Sequence, residues 1–136
     1  MSKALSTNLN HLFALRALEE LSGEDHDADA LAAAIDEVFW VGPHYSSFVP
    51  TELDARPVDQ QDLLGTSLAV LDLGTHPEAM EQTRFGQGGP AVIWPQQQFT
   101  PIYHNRGAWP FVTAYALLAA KRADNGAVFD LSLIHI

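Results

Sequence analysis

Residues 101–115 read Pro101-Ile-Tyr-His-Asn-Arg-Gly-Ala-Trp-Pro-Phe-Val-Thr-Ala-Tyr115, and the fold prediction starts from this stretch. Pro110 suits the first turn of a helix, where the missing N–H costs no hydrogen bond. The apolar residues that follow it predict a helix. The polar and aromatic residues before it would then lie at the N-terminus of that helix. Their aromatic faces and hydrogen-bonding groups suit a sugar ring, so this loop is the candidate binding segment.

The other apolar stretches also have helical periodicity, which predicts about five helices arranged as αα-hairpins and an all-α fold. The expected helix starts are Thr7 or Asn8, Asp27 or Asp29, Asp59 or Gln60, Pro77, and Pro110. The positions expected to face the core are Leu12, Phe13, Leu15, Leu18 and Leu21 in the first helix, Leu31, Ala34, Ile35, Val38 and Phe39 in the second, Leu63, Leu64, Leu68, Val70 and Leu71 in the third, and Phe111, Ala114, Tyr115, Leu117 and Leu118 in the last. The third helix is apolar nearly all round, as a buried helix is.

The charge balance argues against two classes of partner. The 136 residues include 17 acidic and 7 basic side chains, which gives a net charge of −10. Nucleic acids and anionic membrane surfaces both require clustered Lys and Arg, so neither is an expected partner. Much of the acidic charge precedes residue 40 and is interpreted as a solvated helix face and turn. The chain has no cysteine, which excludes disulfides and Cys-based zinc sites, and no metal site is expected.

Several segments resemble those of one enzyme family. Tyr103-His-Asn-Arg-Gly-Ala-Trp-Pro-Phe111 resembles the Tyr-His-Asn-x-x-x-Trp-Pro-Phe signature of six-hairpin glycosidases, and is similar to the mannosylglycerate hydrolase-like and glycogen-debranching-like groups. Pro90-Ala-Val-Ile-Trp-Pro-Gln-Gln-Gln98 resembles the loop that precedes this signature, and Asp62-Leu-Leu-Gly65 resembles the opening of the helix one hairpin earlier. The resemblance implies an (α/α)6 barrel that hydrolyses a small glycoside or α-linked oligosaccharide, usually with inversion and without a cofactor.

The length predicts that only part of such a barrel is present. Twelve helices of about 11–12 residues each, with their connections, need well over twice this length. Residues 1–130 are therefore expected to be a partial catalytic domain whose partners include the remaining hairpins of a parent chain. Residues 131–136 neither continue the helical pattern nor resemble the family, and are interpreted as a non-native read-through tail. The alternative is a helical carbohydrate-binding or interaction module that performs no chemistry.

Two groups of candidate site residues follow. The substrate-binding candidates are Trp94, Gln96, Tyr103, His104, Asn105, Arg106 and Trp109. The local candidates for a catalytic pair are Glu52 and Asp54. They are two residues apart in an extended loop, so both side chains would point to the same side, about 7 Å apart. That spacing is near the ~6.5–9.5 Å of inverting glycosidases. The competing interpretation is a solvated pair or an ion pair with Arg56, and the resemblance implies that the main acid and base lie on hairpins outside this chain.

Individual members of the loop have structural interpretations as well. His104 is either a substrate contact or a buried histidine whose hydrogen bonds organise the loop. Arg106 either binds a substrate carboxylate through a bidentate contact or pairs with an aspartate. Trp94 and Trp109 are either sugar-stacking platforms or core residues. Tyr45 is a weaker site candidate, and Trp40 is expected to pack in the core.

Overall fold

The computed structural model describes residues 3–50, 56–59, 61–80 and 109–126, and these are mainly helical. The elements in chain order are β1 (Lys3–Ala4), α1 (Leu5–Ser22), α2 (Ala28–Phe39), β2 (Phe48–Val49), α3 (Leu63–Asp72), a short 3₁₀ helix (Pro77–Met80) and α4 (Pro110–Arg122). The two strands form one short antiparallel pair, with Lys3 opposite Val49 and Ala4 opposite Phe48. The all-α prediction is confirmed at this level. The predicted tail, residues 131–136, lies outside the described residues.

Helix α3 lies at the centre of the described structure. It packs against α1 on one side and against α4 on another, while α1 also packs against α2. All six residues from Gly65 to Val70 are buried, which agrees with the prediction of a helix that is apolar nearly all round. A helix in this position needs small residues where its neighbours come close, and Gly65, Thr66, Ser67 and Ala69 supply them.

Helix α1 begins three residues before the predicted cap Asn8. The Leu5 backbone N–H donates to the Ser47 carbonyl oxygen at 2.9 Å, so the chain turns directly from the β1 pairing into the helix. The Asn8 side chain donates to the Ala4 carbonyl oxygen at 2.7 Å and does not cap the helix. The predicted end at Ser22-Gly23 is confirmed, because Gly23 adopts a φ of 71° that favours glycine.

The predicted core stripe of α1 is wrong in most positions. Leu5, Leu9 and Leu12 are the fully buried residues, and they contribute to the main hydrophobic cluster. Phe13, Leu18 and Leu21, which were expected to face the core, are exposed to 66%, 44% and 86%. The helix is apolar on both sides, so periodicity alone did not select the inner face.

Helix α4 begins at Pro110 as predicted, but it also turns a different face inward. Val112, Ala116, Ala119 and Ala120 are buried. Phe111, Tyr115 and Leu118 were predicted core residues and are 52%, 41% and 55% exposed. The small side chains of α4 let it approach the small residues of α3 closely, and this contact leaves the large side chains outside. The predicted position Ala114 is exposed too.

The starts of α2 and α3 depend on carboxylates. Helix α2 begins at Ala28, within the predicted range, but Asp27 does not cap it with its side chain. Glu19 of α1 does so instead, because its Oε1 accepts the backbone N–H groups of His26 and Ala28 at 2.9 and 3.1 Å. Helix α3 begins at Leu63, later than the predicted Asp59 or Gln60. In α2, Ile35 and Phe39 are buried as predicted, whereas Ala34 and Val38 are exposed.

Candidate functional site

The end of the candidate binding segment lies at the start of α4. Trp109 has an extended backbone (φ −108°, ψ 113°) immediately before Pro110, the first residue of the helix. The Trp109 carbonyl oxygen accepts the Thr113 backbone N–H at 2.9 Å and the Thr113 hydroxyl at 3.1 Å. These bonds fix the direction in which the chain enters the helix, as the proline at position 110 predicted.

The Trp109 ring packs edge to face against Phe111. The ring centroids are 6.2 Å apart and the ring planes meet at 64°. Trp109 is half-buried, and Phe111 is exposed to 52%. Trp109 is therefore partly packed against the protein and partly exposed, and its role as a sugar-stacking platform stays a prediction.

The other predicted site residues lie outside the described residues. They are the carboxylates Glu52 and Asp54 and the binding candidates Trp94, Gln96, Tyr103, His104, Asn105 and Arg106. Their roles stay predictions.

A second polar group lies on α2, the loop before β2 and the turn after α3. Its centre is the carboxylate of Asp36, whose Oδ1 accepts the hydroxyl of Tyr45 at 2.5 Å and the hydroxyl of Thr75 at 2.8 Å. The two hydroxyl oxygens are 3.1 Å apart. Three separate segments of the chain therefore meet at one carboxylate.

His76 extends this group toward solvent. Its Nε2 lies 3.6 Å from Asp36 Oδ2, and its Nδ1 lies 2.9 Å from Glu78 Oε1. Its ring stacks on Trp40, with centroids 3.8 Å apart and planes within 2° of parallel. The Tyr45 ring meets Trp40 edge to face at 5.0 Å. Trp40 packs against the core cluster, as the sequence predicted.

The electrostatics of the group favour hydrogen bonds that hold the structure together. Burial raises the pKa of Tyr45 well above its ordinary value, and the hydrogen bond to Asp36 raises it further. The phenol consequently remains a proton donor to the carboxylate. The pKa of Glu78 is lowered, first by its own backbone N–H and then by the hydrogen bond from His76.

This second group is suited to holding α2 against the turn after α3. One face of the His76 ring is covered by Trp40, and its Nδ1 lies 2.9 Å from Glu78 Oε1, so the imidazole joins the turn after α3 to the end of α2. The predicted site residues did not include Asp36, Thr75, His76 or Glu78. The available signal was the polar run directly after Gly74, where a helix ends and a turn begins.

The acidic turn between α1 and α2 also has a structural explanation. It surrounds a shallow hollow lined by Glu19, Glu24, Asp25, Asp27 and Asp29. The Glu19 carboxylate is occupied by the backbone N–H groups at the start of α2. In the part of the chain that the structure describes, no group of three or more His, Asp or Glu side chains is arranged to hold a metal ion.

Comparisons with protein families, with curated proteins and with solved structures each gave no match. Among the described helices, none is both long enough and apolar enough to cross a bilayer.

Proposed function

We propose that this chain is part of a glycoside hydrolase and that its segment Tyr103–Trp109 binds the sugar. The observation that carries the proposal is the run from Tyr103 to Trp109, which combines aromatic rings, an imidazole, an amide and a guanidinium directly before the helix that begins at Pro110. Sugar recognition needs aromatic faces for the C–H surface of the ring and paired donors and acceptors for its hydroxyls. The resemblance of this run to the six-hairpin glycosidase signature supports the same assignment.

The geometry at Trp109 is compatible with this role. Its half-buried ring is held by Phe111 and stands at the N-terminus of α4. The first backbone N–H groups of a helix have no acceptor within the helix and carry partial positive charge. A sugar hydroxyl, or the carboxylate of a glycerate-type substituent, is a suitable acceptor for them.

The proposed architecture is a part of an (α/α)6 barrel. The described helices pack side by side, with α1 joined to α2 by the five residues 23–27. Helices α1 and α4 both carry large apolar side chains on their outward faces. In a closed barrel such faces are covered by the next hairpin. The proposed reaction is hydrolysis with inversion, for which Glu52 and Asp54 are the local candidates and further carboxylates would come from other hairpins.

The first experiment measures sugar binding by the chain as it stands. Tryptophan fluorescence and calorimetry would be recorded during titration with α-linked disaccharides and with a glycoside that carries a glycerate group. We expect binding by the wild-type chain, and its loss in His104→Ala and in Trp109→Ala. Tyr45→Phe is the matched control, because it removes a hydroxyl from the Asp36 group and leaves the proposed sugar segment intact.

The second experiment distinguishes an enzyme from a binding module. The reading frame would be extended in its source DNA, and the longer protein would be assayed for hydrolysis of the glycosides that bind. Turnover that falls strongly in His104→Ala, by about 2–4 kcal/mol of transition-state stabilisation, would support the enzyme. Binding without hydrolysis would favour the module, and the absence of any glycoside binding would contradict both.

A further inference from the structure

Two helices present apolar side chains on their outward faces. The α1 face consists of Phe13, Leu18 and Leu21, and the α4 face consists of Phe111, Tyr115 and Leu118. Each of these six residues exposes more than two fifths of its surface to solvent, and Leu21 exposes 86%. Contiguous apolar faces on a protein surface are typical of sites at which another protein element packs.

The α1 face is the stronger of these two signals. On its opposite side, α1 buries Leu5, Leu9 and Leu12 against the core cluster. A helix that is apolar on both sides normally lies between two neighbours. In the part of the chain that the structure describes, α1 packs mainly against α2 and α3. Phe13, Leu18 and Leu21 stay exposed beside these neighbours, so this side of α1 can receive another helix.

The two faces match in length and in spacing. Phe13 and Leu21 are eight residues apart, which corresponds to about 12 Å along the helix, and Phe111 and Leu118 are separated by about 10.5 Å. Rows of side chains spaced by three and four residues form ridges that fit into the grooves of a second helix. The small Ala17 lies between Phe13 and Leu21 and leaves room there for a large side chain such as Tyr115.

The charges at the ends of the two faces are opposite. The C-terminal end of α1 carries the exposed Glu20 and is followed by Glu24, and its last turn contains no basic residue. Negative charge is unfavourable at a helix C-terminus, where the dipole is also negative. The last turn of α4 contains Lys121 and Arg122. If the two apolar faces pack side by side with the helices parallel, Lys121 of α4 comes close to Glu24, which follows the C-terminal end of α1.

We propose that the α1 face of one copy of this chain docks on the α4 face of a second copy, with the two helices parallel. The contact joins two different faces, so it is heterologous and each added copy leaves one face of each kind free. The chain is therefore expected to assemble into an open series whose length grows with concentration. This inference concerns the 136-residue chain on its own and does not depend on the sugar-binding segment. In a longer chain with further hairpins, those hairpins would cover the same two faces and the series would not form.

The test uses the whole chain and two double variants. Phe13→Gln with Leu21→Gln removes the α1 face, and Tyr115→Gln with Leu118→Gln removes the α4 face. Glutamine is a good helix former, and all four side chains are exposed, so both variants are expected to keep the fold by circular dichroism. Val38→Gln is the matched control, because Val38 is 38% exposed on α2 and belongs to neither face.

Sedimentation and light scattering would be recorded over a wide range of protein concentration. We expect the wild-type chain and Val38→Gln to form species that grow beyond the dimer, and each double variant alone to remain a monomer. An equimolar mixture of the two double variants retains one complete pair of faces, so it is expected to form a dimer that does not grow further. High salt and Lys121→Glu are both expected to weaken the assembly of the wild-type chain.

Three results would overturn the proposal. A wild-type chain that is monomeric at every concentration would show that the faces do not recognise a second copy, as expected if they await other hairpins of a parent chain. If the variant that lacks the α4 face (Tyr115→Gln with Leu118→Gln) forms a dimer by itself, the contact is a symmetric one between two α1 faces. A mixture of the two variants that stays monomeric would show that the two faces do not bind each other.

Discussion

At the scale of single residues, Asp62 and Gly65 are fitted to each other at the start of α3. The Asp62 carboxylate is buried and its Oδ1 accepts the Gly65 backbone N–H at 2.5 Å. A Cβ atom on Gly65 would lie 2.6 Å from Asp62 Oδ2 and 3.0 Å from Leu5 Cδ2. The glycine is therefore required by the close approach of a carboxylate and a leucine, in a helix position where alanine would otherwise be preferred.

Gly65→Ala is expected to destabilise the protein by about 1–3 kcal/mol, because the added methyl group overlaps a carboxylate that its own hydrogen bond holds in place. Thermal and urea unfolding would measure the loss. Gly126→Ala is the control, since nothing lies within 4 Å of a Cβ at that position. Equal stability of the two variants would show that Asp62 can move away at little cost.

Burial of Asp62 also predicts a dependence of stability on pH. It raises the pKa of this carboxyl from 3.8 to about 6, although the backbone N–H groups of Gly65 and Leu64 act in the opposite direction. The folded protein thus holds the proton more tightly than the unfolded chain. The stabilising contribution is complete below pH 3.8 and is lost as the pH rises through about 6.

Asp62→Asn keeps an acceptor oxygen for the Gly65 N–H and removes the buried charge. We expect it to be more stable than the wild-type protein at neutral pH, on the order of 1 kcal/mol because the amide has only one acceptor oxygen, with this advantage disappearing in acid. Urea unfolding at a series of pH values would measure the difference. Glu37→Gln, which changes an exposed carboxylate on α2, is expected to show little effect. A neutral or harmful effect of Asp62→Asn at pH 7 would mean that the ionised cap outweighs its burial.

At the scale of the elements, α2 receives its N-terminal cap from α1. Glu19 lies in the last turns of α1, and its Oε1 accepts the backbone N–H groups of His26 and Ala28. Asp27, directly before the helix, has a φ of 61° and makes no side-chain cap. The carboxylate of one helix therefore sets the start of the next and fixes the turn between them.

Glu19→Ala leaves two backbone donors without their acceptor and is expected to cost about 1–2 kcal/mol. Glu19→Gln keeps the acceptor oxygen and should cost less. Glu37→Ala, at an exposed position of α2, is the control with an expected effect near zero. Unfolding free energies would rank the three variants, and hydrogen exchange of the His26 and Ala28 amides would locate the change. An unchanged exchange rate in Glu19→Ala would contradict the capping role.

At the scale of the whole molecule, the Asp36 group connects segments that the helices alone do not join. Tyr45 is fully buried beside the β1–β2 pair, Asp36 belongs to α2, and Thr75 follows α3. The hydroxyls of Tyr45 and Thr75 both donate to the same carboxylate oxygen. Loss of either hydroxyl changes the environment of the other, so their contributions to stability are expected to be coupled.

A double-mutant cycle with Tyr45→Phe and Thr75→Val tests this coupling. Each single change is expected to cost about 1–2 kcal/mol, and the double variant should depart from additivity by at least about 0.5 kcal/mol. The control cycle pairs Tyr45→Phe with Thr113→Val, because the Thr113 hydroxyl bonds locally to the Trp109 carbonyl oxygen within α4. That second cycle should be additive. Additivity in both cycles would show that the two hydroxyls act independently.

Local sequence patterns were sufficient to predict the helical class and those helix boundaries that depend on local backbone chemistry. Pro110 begins α4 because proline has no backbone N–H, and the first N–H groups of a helix have no acceptor within the helix in any case. Gly23 ends α1 because glycine tolerates a positive φ. The same reasoning placed Trp109 at the start of α4. The remaining predicted site residues lie outside the described residues, so their arrangement stays a prediction.

Three features depend on tertiary packing and could not be read from local patterns. They are the inward faces of α1 and α4, the start of α1, and the set of polar side chains that meet. Both helices carry apolar residues on more than one side, so local periodicity gave no unique answer. Packing in the core buries the side of α1 that carries Leu5, Leu9 and Leu12, and it buries the alanine-rich side of α4. The Asp36 group unites residues 36, 45 and 75, which come together because the helices pack, and a local pattern carries no information about such a distant partner.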